Sequence, residues 1–538
     1  MNNLIRSGFP INYFLLNKAQ LVSNRMNIKS NILRIAIFAT GLSGIVAEYI
    51  LSTLATYFLG DSVMQWTMIM SIMLFAMGIG SRISRSFKTN LLEKFIFIEF
   101  TLSFLVCFSS LAAYTISAWS VYTGVAIYGL SILIGLMIGM EIPLVMRLND
   151  EFQVLRVNIS SVLENDYYGS LMGGIFFAFV GLPYLGLTYT PIVLGLVNFS
   201  VAIGLLFVLW KRIEMKLKIR ITSVASVLCV VLLSAFFVAQ PIIKYGEQKK
   251  YKDKVVYTEQ SKYQKIVITQ WKNDYWLFIN GNQQLSSFDE EMYHEPLVHP
   301  ALSLTKTPHN ILVLGGGDGC AIREILKYPE VKKITLVDLD PAMTNLGKNN
   351  DIMTGINQNA FDSDKVSIIN TDGYHFIENT REMYDAIIID LPDPKTIEIS
   401  RLYSYEFYSK CYKHLKKYGV IVTQAGSPYF ASNAYNCINK TIQKAGFSTV
   451  PMHNQVVTLG EWGWILGAKN ISPENLKTEL LNLEFDSMDT KWINGEAMSL
   501  LTSFGKDFFK QDCSTIEVNE IHNPVLYKYY LNGTWDIY

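Results

Sequence analysis

Five aspartates stand at the ends of short apolar runs in the second half of this 538-residue chain. Asp318 lies in Gly315-Gly316-Gly317-Asp318-Gly319, directly after the run Asn310-Ile311-Leu312-Val313-Leu314. Asp338 follows Lys333–Val337, Asp372 follows Val366–Ile369, and Asp390 and Asp393 follow Ala386–Ile389. Each run reads as a buried parallel strand. Ligands of open α/β sheets bind at the carboxyl ends of such strands, so the five carboxylates are expected around one crevice. That much negative charge is costly unless a cation occupies it. No Lys or Arg interrupts the five motifs, which points to a positively charged substrate. One such aspartate alone is usually a cap or turn residue; five at consecutive strand ends are read as a site.

The run, the glycine loop and the helical stretch Cys320–Tyr328 form a nucleotide-binding unit, with glycines admitting close backbone approach. Asp338 lies 19 residues past Gly319 and can accept two hydrogen bonds from a ribose diol. Asp372 can bond an adenine amino group. The loop lacks the Gly-x-Gly-x-x-Gly spacing of dinucleotide folds and resembles that of S-adenosyl-sulfonium enzymes.

Taken in order with their neighbours, these residues resemble the spermidine synthase (polyamine aminopropyltransferase) family. The match runs from Tyr263 to Lys469. It includes Tyr263-Gln264, Gly281-Asn282-Gln283-Gln284 and Asp289-Glu290-Glu291-Met292-Tyr293-His294-Glu295. It continues through the glycine loop, Asp390-Leu391-Pro392-Asp393-Pro394, Leu402–Tyr408 and Gln424-Ala425-Gly426-Ser427-Pro428. Asn519–Trp535, with Tyr529-Tyr530, resembles the tail of the membrane-attached bacterial branch.

The resemblance implies a small β domain before a Rossmann-like, methyltransferase-type sheet. It implies decarboxylated S-adenosylmethionine as donor and putrescine as acceptor, giving spermidine and 5′-methylthioadenosine. Gln264, His294, Asp318, Asp338, Asp372 and Gly373 match donor-binding positions. Asp390 matches the catalytic base, and Tyr293 and Asp393 match acceptor positions. The donor is a co-substrate; no cofactor and no metal are expected. A homo-oligomer is compatible with the resemblance, since soluble relatives are commonly dimers or tetramers. One region departs from the pattern. Soluble members place a tyrosine and a proline just before the glycine matched by Gly460, where this chain has Val457-Thr458-Leu459. The distal-amine pocket is therefore expected to differ, and putrescine is the default acceptor. Pro392 replaces the serine of many soluble members and stiffens the loop before Asp393.

The elements that must carry this site belong to only part of the chain. Half of all residues are hydrophobic and 17% are charged, and mean hydropathy is +0.22. A soluble globular chain carries about 25% charge, so neither a disordered nor a fully soluble protein fits. The net charge is zero, which by itself argues against nucleic acid as partner. It is a cancellation, however. Met1–Gly246 holds 17 Lys/Arg and 10 Asp/Glu, a net +7, and the remaining 292 residues a net −7. The expected organisation is a multi-span α-helical membrane domain at 1–246, then the α/β part. That part divides into a small β domain at 247–300, a Rossmann-like domain at 301–470 and an extension at 471–538. Val255–Leu285, with its Asn280-Gly281 turn, suits the β domain.

Seven apolar stretches are long enough to cross a bilayer: Leu33–Leu59, Val63–Gly80, Phe95–Thr115, Ser120–Met140, Tyr168–Leu187, Pro191–Trp210 and Ser223–Ile243. Lys and Arg follow the second, fourth and sixth and are absent after the first, third and fifth, which puts the N-terminus in the cytoplasm. Seven full crossings place the α/β part outside, yet Lys244, Lys249, Lys250, Lys252 and Lys254 argue for inside. An incomplete stretch, or a further crossing around Glu141–Asp166, reconciles the two. The expected location is the cell (inner) membrane with the catalytic domain cytoplasmic. The first 30 residues show no signal-peptide pattern, and Met26 is a second candidate start. Glu48, Glu99 and Glu141 lie near membrane depth and read either as a substrate path or proton relay, or as packing and interfacial contacts.

Cys107, Cys229, Cys320, Cys411, Cys437 and Cys513 form no metal or disulfide spacing, which suits reduced thiols. His299, His309 and His375 read as surface or packing residues. Two other classes stay open: a membrane-bound S-adenosylmethionine methyltransferase, which needs neither Tyr293-His294-Glu295 nor Asp393, and a polyamine sensor or transporter that only binds.

Overall fold

The computed structural model describes residues 11–535 except 61, 120, 121, 151, 507 and 509–514, with side chains from residue 28 onward. Met1 and Cys513 lie outside the described residues. The chain forms two compact units, Met1–Lys252 and Asp253–Tyr538. The boundary falls six residues beyond the expected Gly246, because the last helix of the first unit continues to Lys250.

The first unit contains α1 (Ile11–Leu59), α2 (Ser62–Ser84), α3 (Leu91–Trp119), α4 (Thr123–Asn149), α5 (Leu155–Phe176), a π-helical segment Phe177–Leu185, α6 (Gly186–Leu209) and α7 (Met215–Lys250). Among the described residues six stretches are long and apolar enough to cross a membrane, and the fifth spans the 55 residues Leu155–Leu209. It folds back on itself at Gly186, whose φ of +62° suits glycine. Contacts with α1 show the reversal. Along α5 they climb together: Gly169 meets Phe38, Gly173 meets Leu42 and Ile45, and the Phe177 ring meets Tyr49. Along α6 they descend: Asn198 Nδ2 donates to Ser43 Oγ (2.8 Å), and Gly204 lies against Ile32.

The helices therefore make seven passes through the bundle. Tyr57 donates to Glu247 Oε2 (3.1 Å), so α1 and α7 finish at the same end. Among the described residues neither an incomplete stretch nor a further crossing around Glu141–Asp166 is found. α4 runs to Asn149 and α5 starts at Leu155. Basic residues consequently flank both ends of the bundle.

Close helix packing depends on small residues. A Cβ at Gly169 would stand 2.1 Å from the Phe38 carbonyl oxygen, and one at Gly139 2.1 Å from that of Met77. The exterior is apolar: Phe75, Phe207 and Phe237 are 71%, 74% and 84% exposed. Glu48, Glu99 and Glu141 all point inward and are buried. Glu99 and Glu141 both lie beside the Thr40 hydroxyl.

The second unit begins with the antiparallel sheet β1 (Lys254–Gln260), β2 (Lys265–Trp271), β3 (Asp274–Ile279) and β4 (Asn282–Ser286). Asn280 and Gly281 both have positive φ, as a two-residue hairpin turn of this twist demands. Helix α8 (Glu291–Leu304) leads to β5 (Asn310–Gly315), α9 (Cys320–Leu326), β6 (Lys333–Asp338), β7 (Val366–Asn370), β8 (Tyr384–Asp390), β9 (Leu415–Gly426), β10 (Ser448–Val456) and β11 (Gly460–Ala468). They form one sheet of order β10-β11-β9-β8-β5-β6-β7. The β9-β8-β5-β6-β7 run is parallel, and β11 and β10 are added antiparallel.

Apolar side chains alternate to the two faces, as a sheet covered on both sides requires. Ile311, Val313, Ile334 and Leu336 enter one core, and Leu312, Leu314, Val337 and Ile387 the other. The stretch 471–538 is no appendage. Leu476, Leu480 and Met498 complete the first core, and Leu526 and Tyr530 the second.

Candidate active site

The sheet reverses its winding between β5 and β8, and the ends of these two strands meet there. Gly315 pairs with Asp390, and Gly316 N donates to the Asp390 carbonyl (3.0 Å). A Cβ at Gly315 (φ +81°) would fall 2.0 Å from that carbonyl oxygen, so only glycine fits beside Asp390. Ligands of doubly wound folds bind at this kind of switch point. Gly319 (φ +87°) then turns the chain into α9, and Asp318 Oδ1 accepts from Cys320 N (2.8 Å).

Helix α8 brings Tyr293 and His294 to the same place. Tyr293 donates to Asp390 Oδ1 (2.8 Å). His294 Nε2 lies 3.9 Å from both Asp318 Oδ1 and Asp390 Oδ2. Its Nδ1 bonds Glu290 Oε2 (2.8 Å), one turn earlier. Glu290 is gripped by both terminal nitrogens of Arg323. Arg323 also reaches Glu324 (2.7 Å), which holds His299 (2.8 Å). His299 is therefore a packing residue, as expected, and also a member of a buried charge chain that ends at the site.

The electrostatics follow from this chain. Burial disfavours a charged His294, but the bond and charge of Glu290, with Asp318 and Asp390, outweigh it and raise the imidazole to about 9. Burial raises Asp390 to about 6; the nearby His294 charge opposes the shift and Asp318 adds to it. Asp338 is raised to about 6, again mainly by burial, against the bond from Asp340 N. At neutral pH the crevice thus holds an imidazolium between two carboxylates. Ligating atoms of His294, Asp318 and Asp390 lie within 4.8 Å of one another. At these separations the trio can exchange hydrogen bonds and pair charges with a ligand.

The other expected residues lie around this centre. Asp338 Oδ1 accepts from Asp340 N (2.8 Å), and Oδ2 sits where a Cβ at Gly317 would be 2.7 Å away. Gln264 belongs to the β1–β2 turn, whose Ser261 donates to Asp340 Oδ2 (2.6 Å); that bond ties the turn to the Asp338 side. Asp372 caps the helix Gly373–Asn379 by accepting from His375 N (2.8 Å), and its other oxygen pairs with Arg401. Gly373 is the first residue of that helix. Asp393 lies past the end of β8, 3.5 Å from Lys395 Nζ.

Part of the positive charge that five carboxylates demand comes from the chain itself. The motifs contain none, but Lys395, directly after the last of them, brings positive charge, as do His294 and Arg401 from elsewhere in the chain. Sequence reasoning also gave no role to Glu290, Arg323, Tyr403 or Gln424. Gln424 Nε2 donates to the Leu391 carbonyl (2.8 Å) and to Tyr403 OH (2.7 Å), and Tyr403 donates to the Pro392 carbonyl (3.2 Å). These bonds fix the spacing between Asp390 and Asp393. The i, i+4 spacing of Glu290 and His294 was the one local signal available.

Residues 290–478 match the spermine/spermidine synthase domain. The chain is 41% identical over 505 residues to polyamine aminopropyltransferase 2 of Aquifex aeolicus, covering 93% of this chain and 98% of the relative. It is 38% identical over 502 residues to a polyamine aminopropyltransferase of Oceanobacillus iheyensis, covering 92% and 96%. A crystal structure of spermidine synthase in complex with the transition state analogue AdoDATO is similar at TM-score 0.44 and 26% identity, covering 48% of this chain and 88% of that one. The curated relatives match both units, helical bundle included, and on that extent of identity the chain belongs to the polyamine aminopropyltransferase family of enzymes.

Proposed function

We propose that the enzyme moves the aminopropyl group of decarboxylated S-adenosylmethionine to putrescine, with Asp390 as general base. The observation that carries this reading is Asp390 itself. It is a carboxylate of raised basicity at the switch point, held by Tyr293 and facing a charged His294.

At neutral pH a putrescine amine is an ammonium and cannot attack carbon. Asp390 accepts a proton from it as the nitrogen lone pair attacks the methylene beside the sulfonium. The new N–C bond forms as the C–S bond breaks. The electron pair stays on sulfur, which leaves as a neutral thioether, so this chemistry requires no cofactor, metal or protonating acid. On this reading Asp318 pairs with the donor's primary ammonium and repels the extra carboxylate of intact S-adenosylmethionine. Asp338 takes the ribose diol, and Gln264, His294, Asp372 and Gly373 complete the donor site. Tyr293 and Asp393 hold the acceptor, and proximity contributes much of the remaining rate.

The seven apolar passes support a location in the cell (inner) membrane. The donor is permanently charged and does not cross a bilayer unaided, and Lys244, Lys249, Lys250 and Lys252 close the last pass. Both favour a catalytic unit facing the cytoplasm, which with seven passes puts the N-terminus and the basic residues after α2, α4 and α6 on the outer side, against the positive-inside reading of those loops.

One preparation tests function and location together. Membranes from cells expressing the full chain, washed with alkaline carbonate, are expected to retain the activity. With putrescine and the decarboxylated donor they yield spermidine and 5′-methylthioadenosine, and a reporter fused after Tyr538 reads cytoplasmic. S-adenosylhomocysteine from the intact donor points instead to the methyltransferase, and binding without turnover to the sensor. An external reporter signal contradicts the proposed sidedness.

A further inference from the structure

The surroundings of Asp393 come partly from the C-terminal extension. Tyr530, in the helix Leu526–Leu531, is 2% exposed. Its hydroxyl lies against the Asp393 carboxylate; burial and then that negative charge push the phenol above its usual range. The ring is held in place from several sides. It packs on Trp535 with centroids 4.8 Å apart, and Trp535 Nε1 donates to the Tyr530 carbonyl (2.9 Å). A Cβ at Gly426, at the end of β9, would stand 3.2 Å from its edge.

A primary ammonium already occupies this corner. Lys395 Nζ is 3.5 Å from Asp393 Oδ2 and 5.7 Å from the centre of the Tyr530 ring. It also donates to Asn282 Oδ1 (2.8 Å). A carboxylate beside an aromatic face is a strong seat for an alkylammonium, combining ion pairing with cation–π attraction. The segment Val457-Thr458-Leu459 before Gly460 supplies no phenol to this corner. Val457 is exposed, and Thr458 is bound to Asp289 through its N (2.6 Å) and Oγ1 (2.8 Å).

We propose that Tyr530 is an acceptor-binding residue. Together with Asp393 it forms the seat of the acceptor's distal ammonium, which Lys395 occupies until an aliphatic diamine displaces it. This rests on the aminopropyltransferase reading. The C-terminal extension thereby becomes part of the specificity site, because the distance from this seat to Asp390 selects diamine length.

The test measures acceptor and donor KM separately on the full-length enzyme, with diamines of differing chain length. Tyr530→Phe keeps the ring and removes the hydroxyl. It is expected to raise acceptor KM about tenfold, leave donor KM unchanged and alter the preference among diamine lengths. Lys395→Ala, at a part-exposed position that does not threaten folding, is expected to lower acceptor KM about threefold. Acceptor KM unchanged in either variant, or donor KM rising in parallel, overturns the proposal. Wild-type enzyme that transfers aminopropyl groups to no diamine overturns the underlying reading instead.

Discussion

Asp390→Asn is expected to lower kcat for aminopropyl transfer about 10³-fold, with donor KM changed only a few-fold. The substitution is nearly isosteric. Asn Oδ1 can still accept from Tyr293, and the backbone contacts with Gly315 and Gly316 do not involve the side chain. What disappears is the one group at the switch point that combines a negative charge with raised basicity. An amide cannot accept the ammonium proton, so the attacking nitrogen has to lose it to water before it enters. Single-turnover measurements with saturating substrates isolate this step from product release. Transfer at near wild-type rate would remove Asp390 from the mechanism and leave Asp393 or bulk solvent as the proton acceptor.

The second large effect is expected at Asp318, and it concerns the choice of donor. Asp318→Asn keeps an oxygen to accept from Cys320 N, so the turn into α9 is preserved. It removes the charge proposed to pair with the donor's primary ammonium. Losing one partner of a desolvated charge pair typically costs 2–5 kcal/mol, so donor KM should rise about 100-fold. Discrimination against intact S-adenosylmethionine should shrink at the same time, because its carboxylate no longer meets a fixed negative charge. The readout is the ratio of decarboxylated-donor KM to the inhibition constant of the intact form. Equal weakening of both, or of neither, would show that Asp318 shapes the loop without reading the donor.

Much of the frame for these residues was legible because its signals are local. Ile311–Leu314, Ile334–Val337 and Ala386–Ile389 are short apolar runs whose ends locate Asp318, Asp338 and Asp390 without any tertiary knowledge. Asn280-Gly281 named its own turn, since few residue pairs accept positive φ twice. The seven passes were legible from apolar length, including the division of Leu155–Leu209 into two.

The counter-charges were not legible. Arg323 reaches Glu290 across 33 positions, Arg401 reaches Asp372 across 29, and His294 meets Asp390 across 96. Nothing in the spacing of any of them predicts its partner. Tyr530 was hidden for a related reason. The helix Leu526–Leu531 is six residues long, too short to show a periodic apolar face, so its burial emerges only when the extension packs against β9 and the neighbouring helices. The five carboxylates are partly offset by cations from α8, from the loop after Asp393 and from the segment that carries Arg401.

The balance between Asp390 and His294 is the centre of the account, and the pH dependence of kcat/KM for the acceptor tests it most directly. The base must be ionised to accept a proton, so the rate should rise with pH through an acid limb near 6. The imidazolium should persist through neutrality, so the rate should fall again near 9 as His294 deprotonates. The two limbs belong to the coupled pair and are read as its apparent values. A bell with limbs near these values is the predicted result. A profile that stays flat from pH 8 down to pH 5 would contradict proton transfer to Asp390.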